Sequence, residues 1–92
     1  MTRQEIQLIR SLRLRSERLA QGVFVVEGIK GLMELANSEL ITQRIYCAAG
    51  MVDSLPQNLQ SEVEVIGIKE MGRISQMSTP PGVLAIAQIP SY

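Results

Sequence analysis

The 92-residue chain has no net charge, 46% hydrophobic and 3% aromatic residues, no histidine, and Cys47 as its single cysteine. This composition predicts one domain with an aliphatic core, and it excludes a disulfide framework, histidine-based catalysis, the usual zinc sites, a membrane-spanning helix and an aromatic platform for stacking bases. Because a lone cysteine indicates a reducing compartment, we expect a cytoplasmic protein with no membrane partner.

The first predicted element is a helix that begins after Thr2. Thr2 as the N-cap and Glu5 three residues later match a capping box, and apolar residues then recur at helical spacing. We expect this helical segment to continue until Gly22, a residue type that commonly ends helices.

Arginines are concentrated on this predicted helix. Residues 1–30 carry six basic and three acidic side chains, whereas the remaining residues carry three basic and six acidic ones. The arginines flank the apolar stripe, with Arg3, Arg10 and Arg13 on one side and Arg15 and Arg18 on the other. A basic segment on a neutral domain indicates a local anionic partner, although arginines that merely solvate a helix face would form the same pattern.

The rest of the chain alternates strands and helices. Strands are predicted at 23–26, 42–48, 62–66 and 83–89, and helices at 28–36, 54–59 and 69–76. The third strand alternates Glu62 and Glu64 with valines, so one of its faces should meet water. The last strand is apolar on both faces, which places it inside the sheet. The pattern predicts an α/β protein, a three-layer α/β/α sandwich with four strands.

Two segments carry a resemblance to a known family. Phe24-Val25-Val26-Glu27-Gly28 after a basic helix, and the later Thr79-Pro80-Pro81-Gly82-Val83-Leu84-Ala85, resemble the N-terminal substrate-binding domain of SpoU-type RNA 2′-O-ribose methyltransferases, members of the SPOUT superfamily. Pro81 stands where the family usually has Gln, which stiffens this turn. The resemblance implies a fold similar to that of the kink-turn-binding ribosomal proteins, with a mixed sheet whose last strand is central and antiparallel to its neighbours.

The resemblance also implies where RNA binds. In the kink-turn-binding proteins, RNA is held by the loop and helix start after strand one and by the loop before the last strand, which correspond here to 27–30 and 77–81. The candidate RNA-binding residues are those of these two segments, the basic helix and the helix before the second loop: Arg10, Arg13, Arg15, Arg18, Glu27, Gly28, Lys30, Arg73, Ser78, Thr79 and Pro80.

The residues after strand one suit phosphate binding. Gly28 lets backbone N–H groups point outward at a helix N-terminus, and Lys30 adds a positive charge there. Arginines can fork onto phosphates or lie flat on bases. Glu27 would oppose phosphate as an anion, so we expect it to cap or orient the turn. Gly72 and Gly82 are expected to serve backbone geometry rather than ligand contact.

The resemblance assigns catalysis to a different domain. In the family, methyl transfer and S-adenosylmethionine binding belong to a knotted C-terminal domain, and residues 1–92 correspond only to the single substrate-binding domain. We therefore expect no catalytic residue, cofactor or metal in this chain, and a connection to the catalytic domain that begins at the tail 90–92. The parent protein would be an S-adenosylmethionine-dependent RNA methyltransferase, with a homodimer possible through the missing domain.

The function implied is the presentation of structured RNA, ribosomal RNA above all, to that catalytic domain. Two other functions fit the same residues. One is a free-standing ribosome-associated RNA-binding protein. The other is a protein-interaction or dimerisation module, in which the arginines form ion pairs and Leu14 or Leu19 packs on a partner.

Overall fold

The computed structural model describes residues 1–90, in which helices and strands alternate; Ser91 and Tyr92, the end of the predicted linker, lie outside the described residues. In chain order the elements are α1 (Arg3–Ser11), α2 (Arg15–Gln21), β1 (Val23–Glu27), α3 (Ile29–Ala36), β2 (Thr42–Ala48), two 3-10 helices (Ala49–Ser54 and Gln57–Glu62), β3 (Val63–Ile66), α4 (Ile68–Ile74) and β4 (Val83–Gln88).

The last strand lies inside the sheet, as its apolar sequence predicts. The strand order is β1-β4-β2-β3, with β4 antiparallel to both β1 and β2, and with β2 parallel to β3. Residues 83–87 are all buried, because this strand has a neighbour on each side and a packed layer on each face. The mixed sheet with a central last strand, which the family resemblance implied, is confirmed.

Each face of the sheet has its own core. Leu84 and Ile86 of β4 face α1 and α4, where Ile9, Leu12 and Ile74 are buried. Val83, Ala85 and Ala87 of β4 point to the opposite face of the sheet, which is covered by α3 and the 3-10 helices. Successive side chains of a strand point to opposite faces, so one strand serves both cores. This confirms the three-layer α/β/α sandwich, and both cores are aliphatic except for Tyr46 and the half-buried Phe24.

The N-terminal region forms two helices, where the sequence predicted one. The predicted capping box is present: Thr2 Oγ1 accepts from the Glu5 N–H at 3.0 Å, and the Thr2 N–H donates to Glu5 Oε1 at 3.3 Å and thereby lowers the pKa of that carboxyl. However, α1 ends at Ser11 with Leu12 as its C-cap, and the backbone becomes extended at Leu14, the N-cap of α2. Gly22, with φ of 70°, ends α2 as predicted.

Arg15 and Arg18 therefore lie on a second helix and not across the apolar stripe of the first. Residues 12–14 contain neither glycine nor proline, so nothing in their composition marks the break.

Most other boundaries agree with the predictions to within one residue, and the larger differences have identifiable causes. The predicted helix 54–59 is two 3-10 helices separated at Pro56, whose ring disfavours helical backbone in the residue before it. β3 begins at Val63, and Glu62 belongs to the second 3-10 helix. α4 ends at Ile74 instead of 76, because Ser75 has an extended backbone.

The alternation along β3 predicts its surface only in part. Glu62 and Glu64 are exposed as expected, but Val65, which the pattern placed towards the core, is 53% exposed. β3 is an edge strand that pairs with β2 on one side only, and an edge position leaves its side chains fewer neighbours.

Two helical glycines have opposite surroundings. A Cβ atom at Gly31 would lie 2.7 Å from Cγ1 of Val26, so α3 approaches β1 more closely than a side chain at this position permits. A Cβ atom at Gly72 would meet no atom within 4 Å, and the φ angle of Gly72 is not positive. The expectation that the backbone at Gly72 requires glycine is therefore wrong.

We expect Gly31→Ala and Gly72→Ala to change stability in opposite directions. Gly31→Ala should lower the free energy of unfolding by about 1–3 kcal/mol, because the new methyl group overpacks the contact between α3 and β1. Gly72→Ala should raise it by about 0.4–1 kcal/mol, because alanine restricts the unfolded chain and meets no obstacle in the helix. Urea denaturation measures both, and equal effects would show that α3 can move away from the sheet at no cost.

Candidate nucleic-acid interface

The end of β1 is bound to the segment between α4 and β4. Oε1 of Glu27 accepts from Ser75 Oγ at 2.6 Å, and Oε2 accepts from the backbone N–H of Gln76 at 2.7 Å. Among the described residues, Ser75 is the one buried polar residue, with 3% of its surface exposed. The two segments that the resemblance connects with RNA binding therefore lie side by side at one end of the sheet.

Glu27 does not cap the helix that follows it, so of the two expected roles, capping or orienting the turn, capping is wrong. α3 has no side-chain cap at its N-terminus, because both carboxylate oxygens of Glu27 are directed at residues 75 and 76. The antiparallel pairing of β1 with β4 places the end of β1 beside the start of β4, and this brings Ser75 within reach of Glu27.

The start of α3 depends on the backbone of Gly28. Gly28 has a φ of 90°, a conformation that residues with a side chain rarely adopt, and its N–H donates to the carbonyl of Val83 at 3.1 Å. The next N–H groups begin a helix, where the first donors lack intrahelical acceptors and the dipole favours anions. Lys30 is exposed in this first turn, which contains no acidic residue.

The loop between α4 and β4 is held at both ends and exposed between them. At its start, Ser75 Oγ accepts from the Met77 N–H at 3.1 Å. At its end, Gly82 has a φ of 85°, and a Cβ atom there would lie 3.2 Å from Met51 Cγ, which confirms the expected backbone role of this glycine. The candidate residues between the two ends, Ser78, Thr79 and Pro80, are exposed.

Arg10 and Arg13 lie against the C-terminal end of α4. Nη1 of Arg10 donates to the carbonyl of Arg73 at 2.8 Å, and Nη2 of Arg13 donates to the carbonyl of Ser75 at 2.8 Å. Carbonyls at the end of a helix lack intrahelical donors and carry partial negative charge, so both contacts are favourable. A guanidinium has five N–H donors, and these contacts leave further N–H groups of each arginine for another acceptor.

Arg18 and Arg15 have different surroundings on α2. Nη1 of Arg18 donates to the carbonyls of Leu12 and Arg13, at 2.9 Å each, and so stabilises the break between α1 and α2. Arg15, the first residue of α2, is exposed.

The structure thus unites part of the predicted set. Arg10, Arg13, Glu27 and Gly28 adjoin one another through the end of α4, and Arg73 contributes its carbonyl there while its side chain is exposed. Arg18 reaches this group only through the backbone of Arg13. Contact of these residues with RNA stays a prediction.

Ser75 and Gln76 complete the arrangement, and the sequence analysis selected neither. A serine after a helix is common, and its contact with Glu27 joins residues 48 positions apart. No local pattern could have identified it.

The remaining chemistry of the described chain is limited. Within residues 1–90, no three side chains of His, Cys, Asp or Glu are grouped so that they could hold a metal ion. Over the same residues, no helix combines the length and the apolar character needed to cross a membrane. Cys47 is fully buried in β2, and burial raises the pKa of its thiol. This cysteine is a small hydrophobic core residue.

Comparison with known proteins gives one family and several similar structures. The family model of the MRM3-like substrate binding domain matches residues 3–85. A putative RNA methyltransferase of the TrmH family from Porphyromonas gingivalis is 27% identical, with a TM-score of 0.83 over 99% of this chain and 36% of that chain. None of the curated proteins matches this chain.

Two more distant structures share the fold. An AdoMet-bound rRNA methyltransferase from Sinorhizobium meliloti is 17% identical, with a TM-score of 0.77 over 100% of this chain and 36% of that chain. A SpoU methyltransferase from Streptomyces viridochromogenes, in complex with the cofactor AdoMet, is 18% identical, with a TM-score of 0.72 over 95% and 36%. The chain spans about a third of the length of each of these proteins.

We expect the two arginines of α2 to differ in their contribution to stability. Arg18→Ala should lower the free energy of unfolding by about 1–2 kcal/mol, because two carbonyls lose a charged hydrogen-bond donor. Arg15→Ala should change it by less than about 0.5 kcal/mol, as is usual for exposed residues. Guanidinium denaturation of the two variants in parallel measures the difference. If both unfold like the unmodified chain, the break between α1 and α2 does not depend on Arg18.

Proposed function

Because the chain belongs to the family of MRM3-like substrate binding domains, we propose that it binds structured RNA, specifically ribosomal RNA, and positions it for 2′-O-ribose methylation by another domain. The observation that carries the proposal is the arrangement at one end of the sheet. There Arg13, just after α1, the N-terminus of α3 and the loop before β4 adjoin one another through Glu27 and Ser75.

The proposed contacts to the RNA backbone come from the start of α3, from Arg10 and Arg13, and from the exposed Arg15 at the start of α2. The N-terminus of α3 offers backbone N–H groups, the helix dipole and the charge of Lys30 to one phosphate. Arg10 and Arg13 are already held by the carbonyls of Arg73 and Ser75, so they lose little side-chain freedom when their remaining N–H groups bind a second phosphate. These contacts position the RNA without reading its sequence.

The exposed loop before β4 supplies the contacts that depend on RNA structure. Ser78 and Thr79 carry hydroxyl groups that can pair with sugars or base edges, and Pro80 presents an apolar surface beside them. Folded RNAs are recognised largely by shape, by 2′-hydroxyl groups and by unpaired bases, and a short loop next to a phosphate site fits such a target.

The catalytic step is proposed to belong to a part of the protein outside this chain. The similar structures are methyltransferases of which this chain spans about a third, and two of them contain AdoMet. We therefore propose that the whole protein is an S-adenosylmethionine-dependent methyltransferase of the cytoplasm. Its cofactor site and its dimer contact would lie in a catalytic domain that follows the last strand of this one.

Two exposed leucines favour a second candidate function. Leu14 and Leu19 are 61% and 60% exposed, at the start and near the middle of α2. In a protein-interaction module these side chains would pack on a partner, and RNA binding would be absent.

A free-standing ribosome-associated RNA-binding protein differs from the main proposal only in lacking the catalytic domain.

We expect the chain to bind structured ribosomal RNA fragments with a strong dependence on salt. If about three to five phosphates are contacted, the plot of log K against log salt concentration should have a slope of roughly −2 to −4. Arg15→Ala and Lys30→Ala should each weaken binding and reduce the slope by about one, with unchanged thermal melting, because both residues are exposed. Fluorescence titration over a range of salt concentrations measures this. Absence of binding at low salt would contradict the RNA proposal and favour the interaction module.

We expect no binding of S-adenosylmethionine to this chain. Isothermal titration calorimetry of the chain with the cofactor should give no heat above that of dilution, whereas the whole protein should show a site. A micromolar site in residues 1–92 would contradict the assignment of the cofactor to another domain.

A further inference from the structure

Glu27 places a negative charge at the end of the sheet where we have proposed that RNA phosphates bind. We propose that Glu27 is a positioning residue, whose carboxylate holds the loop before β4 against the start of α3 and so forms the RNA site in advance of binding. This inference rests on the proposed RNA binding, and it assigns Glu27 no contact with the RNA.

Both oxygens of the carboxylate are used within the protein. Oε1 accepts from Ser75 Oγ at 2.6 Å and Oε2 from the Gln76 N–H at 2.7 Å, distances typical of strong, charge-assisted hydrogen bonds. A carboxylate accepts hydrogen bonds and repels phosphate, so it disfavours RNA binding unless it contributes in another way. Its two bonds to one loop identify that contribution.

The loop has few other means of keeping its shape. Ser75 and Val83 are buried and Pro81 and Gly82 are partly buried, but residues 76–80 are all exposed, so little apolar packing holds these five residues. Its conformation depends on its two ends, with Glu27 at the first. Without that anchor the loop would be ordered only on binding, at a cost in conformational entropy.

The same anchor determines the position of an arginine. Ser75 donates its hydroxyl to Glu27 and accepts with its carbonyl from Nη2 of Arg13. A displaced Ser75 would therefore move the acceptor that orients the Arg13 guanidinium. Through this one serine, Glu27 affects both the loop and the arginine side of the proposed site.

The sign of the effect of removing the charge distinguishes positioning from simple electrostatics. Glu27→Gln removes a negative charge next to the proposed phosphate site, and electrostatics alone would then strengthen RNA binding. If Glu27 positions the loop, the same substitution should weaken binding about tenfold, because the loop must be ordered during binding. The slope of the salt dependence should stay unchanged, since no phosphate contact is lost.

The experiment compares four variants in titrations with a structured ribosomal RNA fragment. Glu27→Gln and Ser75→Ala should each weaken binding about tenfold, and the double variant should be weakened by less than the two single effects combined, because both substitutions alter the bond between Glu27 and Ser75. Glu34→Gln, which removes an equal charge from an exposed residue of α3, should change the affinity by less than about twofold.

Amide hydrogen exchange gives a readout that is independent of RNA. The Gln76 N–H should exchange at least about tenfold faster in Glu27→Gln than in the unmodified chain, while amides of β4 stay protected. This separates release of the loop from loss of the fold, and Ser75→Ala serves as the second variant if Glu27→Gln is unstable.

Each outcome is decisive. If the unmodified chain binds RNA and Glu27→Gln binds as tightly or more tightly, or leaves Gln76 exchange unchanged, the positioning role is overturned and RNA binding stands. If Glu27→Gln weakens binding while the Gln76 N–H exchanges as in the unmodified chain, Glu27 contacts the RNA itself and the inference also falls. If the unmodified chain binds no RNA at low salt, both this inference and the proposed function fail.

Discussion

The pairing of β4 with a strand on each side is the constraint on which the rest of the structure depends. β4 is antiparallel to β1 and to β2, and the register places Glu27 at the end of β1 opposite Leu84 near the start of β4. The loop that leads into β4 must therefore lie beside the turn that leaves β1. The proposed binding surface exists because of this strand order. β4 also contributes buried side chains to both hydrophobic cores.

Arginines at the proposed RNA-binding surface also form hydrogen bonds that stabilise the fold. Arg10 and Arg13 bind carbonyls at the end of α4, and Arg18 binds carbonyls at the end of α1. A guanidinium that donates one N–H to a carbonyl is held in a fixed orientation and still has other N–H donors. The same arginine can therefore stabilise the fold and bind a phosphate. This explains how a chain without net charge can carry a basic end: acidic residues are concentrated after residue 30, and most are exposed elsewhere on the surface.

Three glycines near this end of the sheet allow either a close approach or a backbone conformation that other residues rarely adopt. Gly28 and Gly82 have positive φ angles at the two turns, and Gly31 allows α3 to lie directly on β1. The two turns and the close contact of α3 with β1 lie in the segments that form the proposed binding surface. The sequence predicts the turns at Gly28 and Gly82, but the importance of Gly31 follows only from the 2.7 Å that would separate a Cβ atom there from Cγ1 of Val26.

The sequence by itself determined the features that depend on neighbouring residues. The capping box at Thr2, the bounds of β2, the end of α2 at Gly22 and the burial of β4 all follow from spacing, residue type and apolar pattern over fewer than ten positions. The tertiary structure decided what depends on distant partners. Glu27 bonds to Ser75 rather than capping α3, and Val65 is exposed at an edge that no alternation reveals. Arg13 likewise meets a carbonyl 62 residues away, because hydrogen-bond partners of this kind become neighbours only when the strand order brings their elements together.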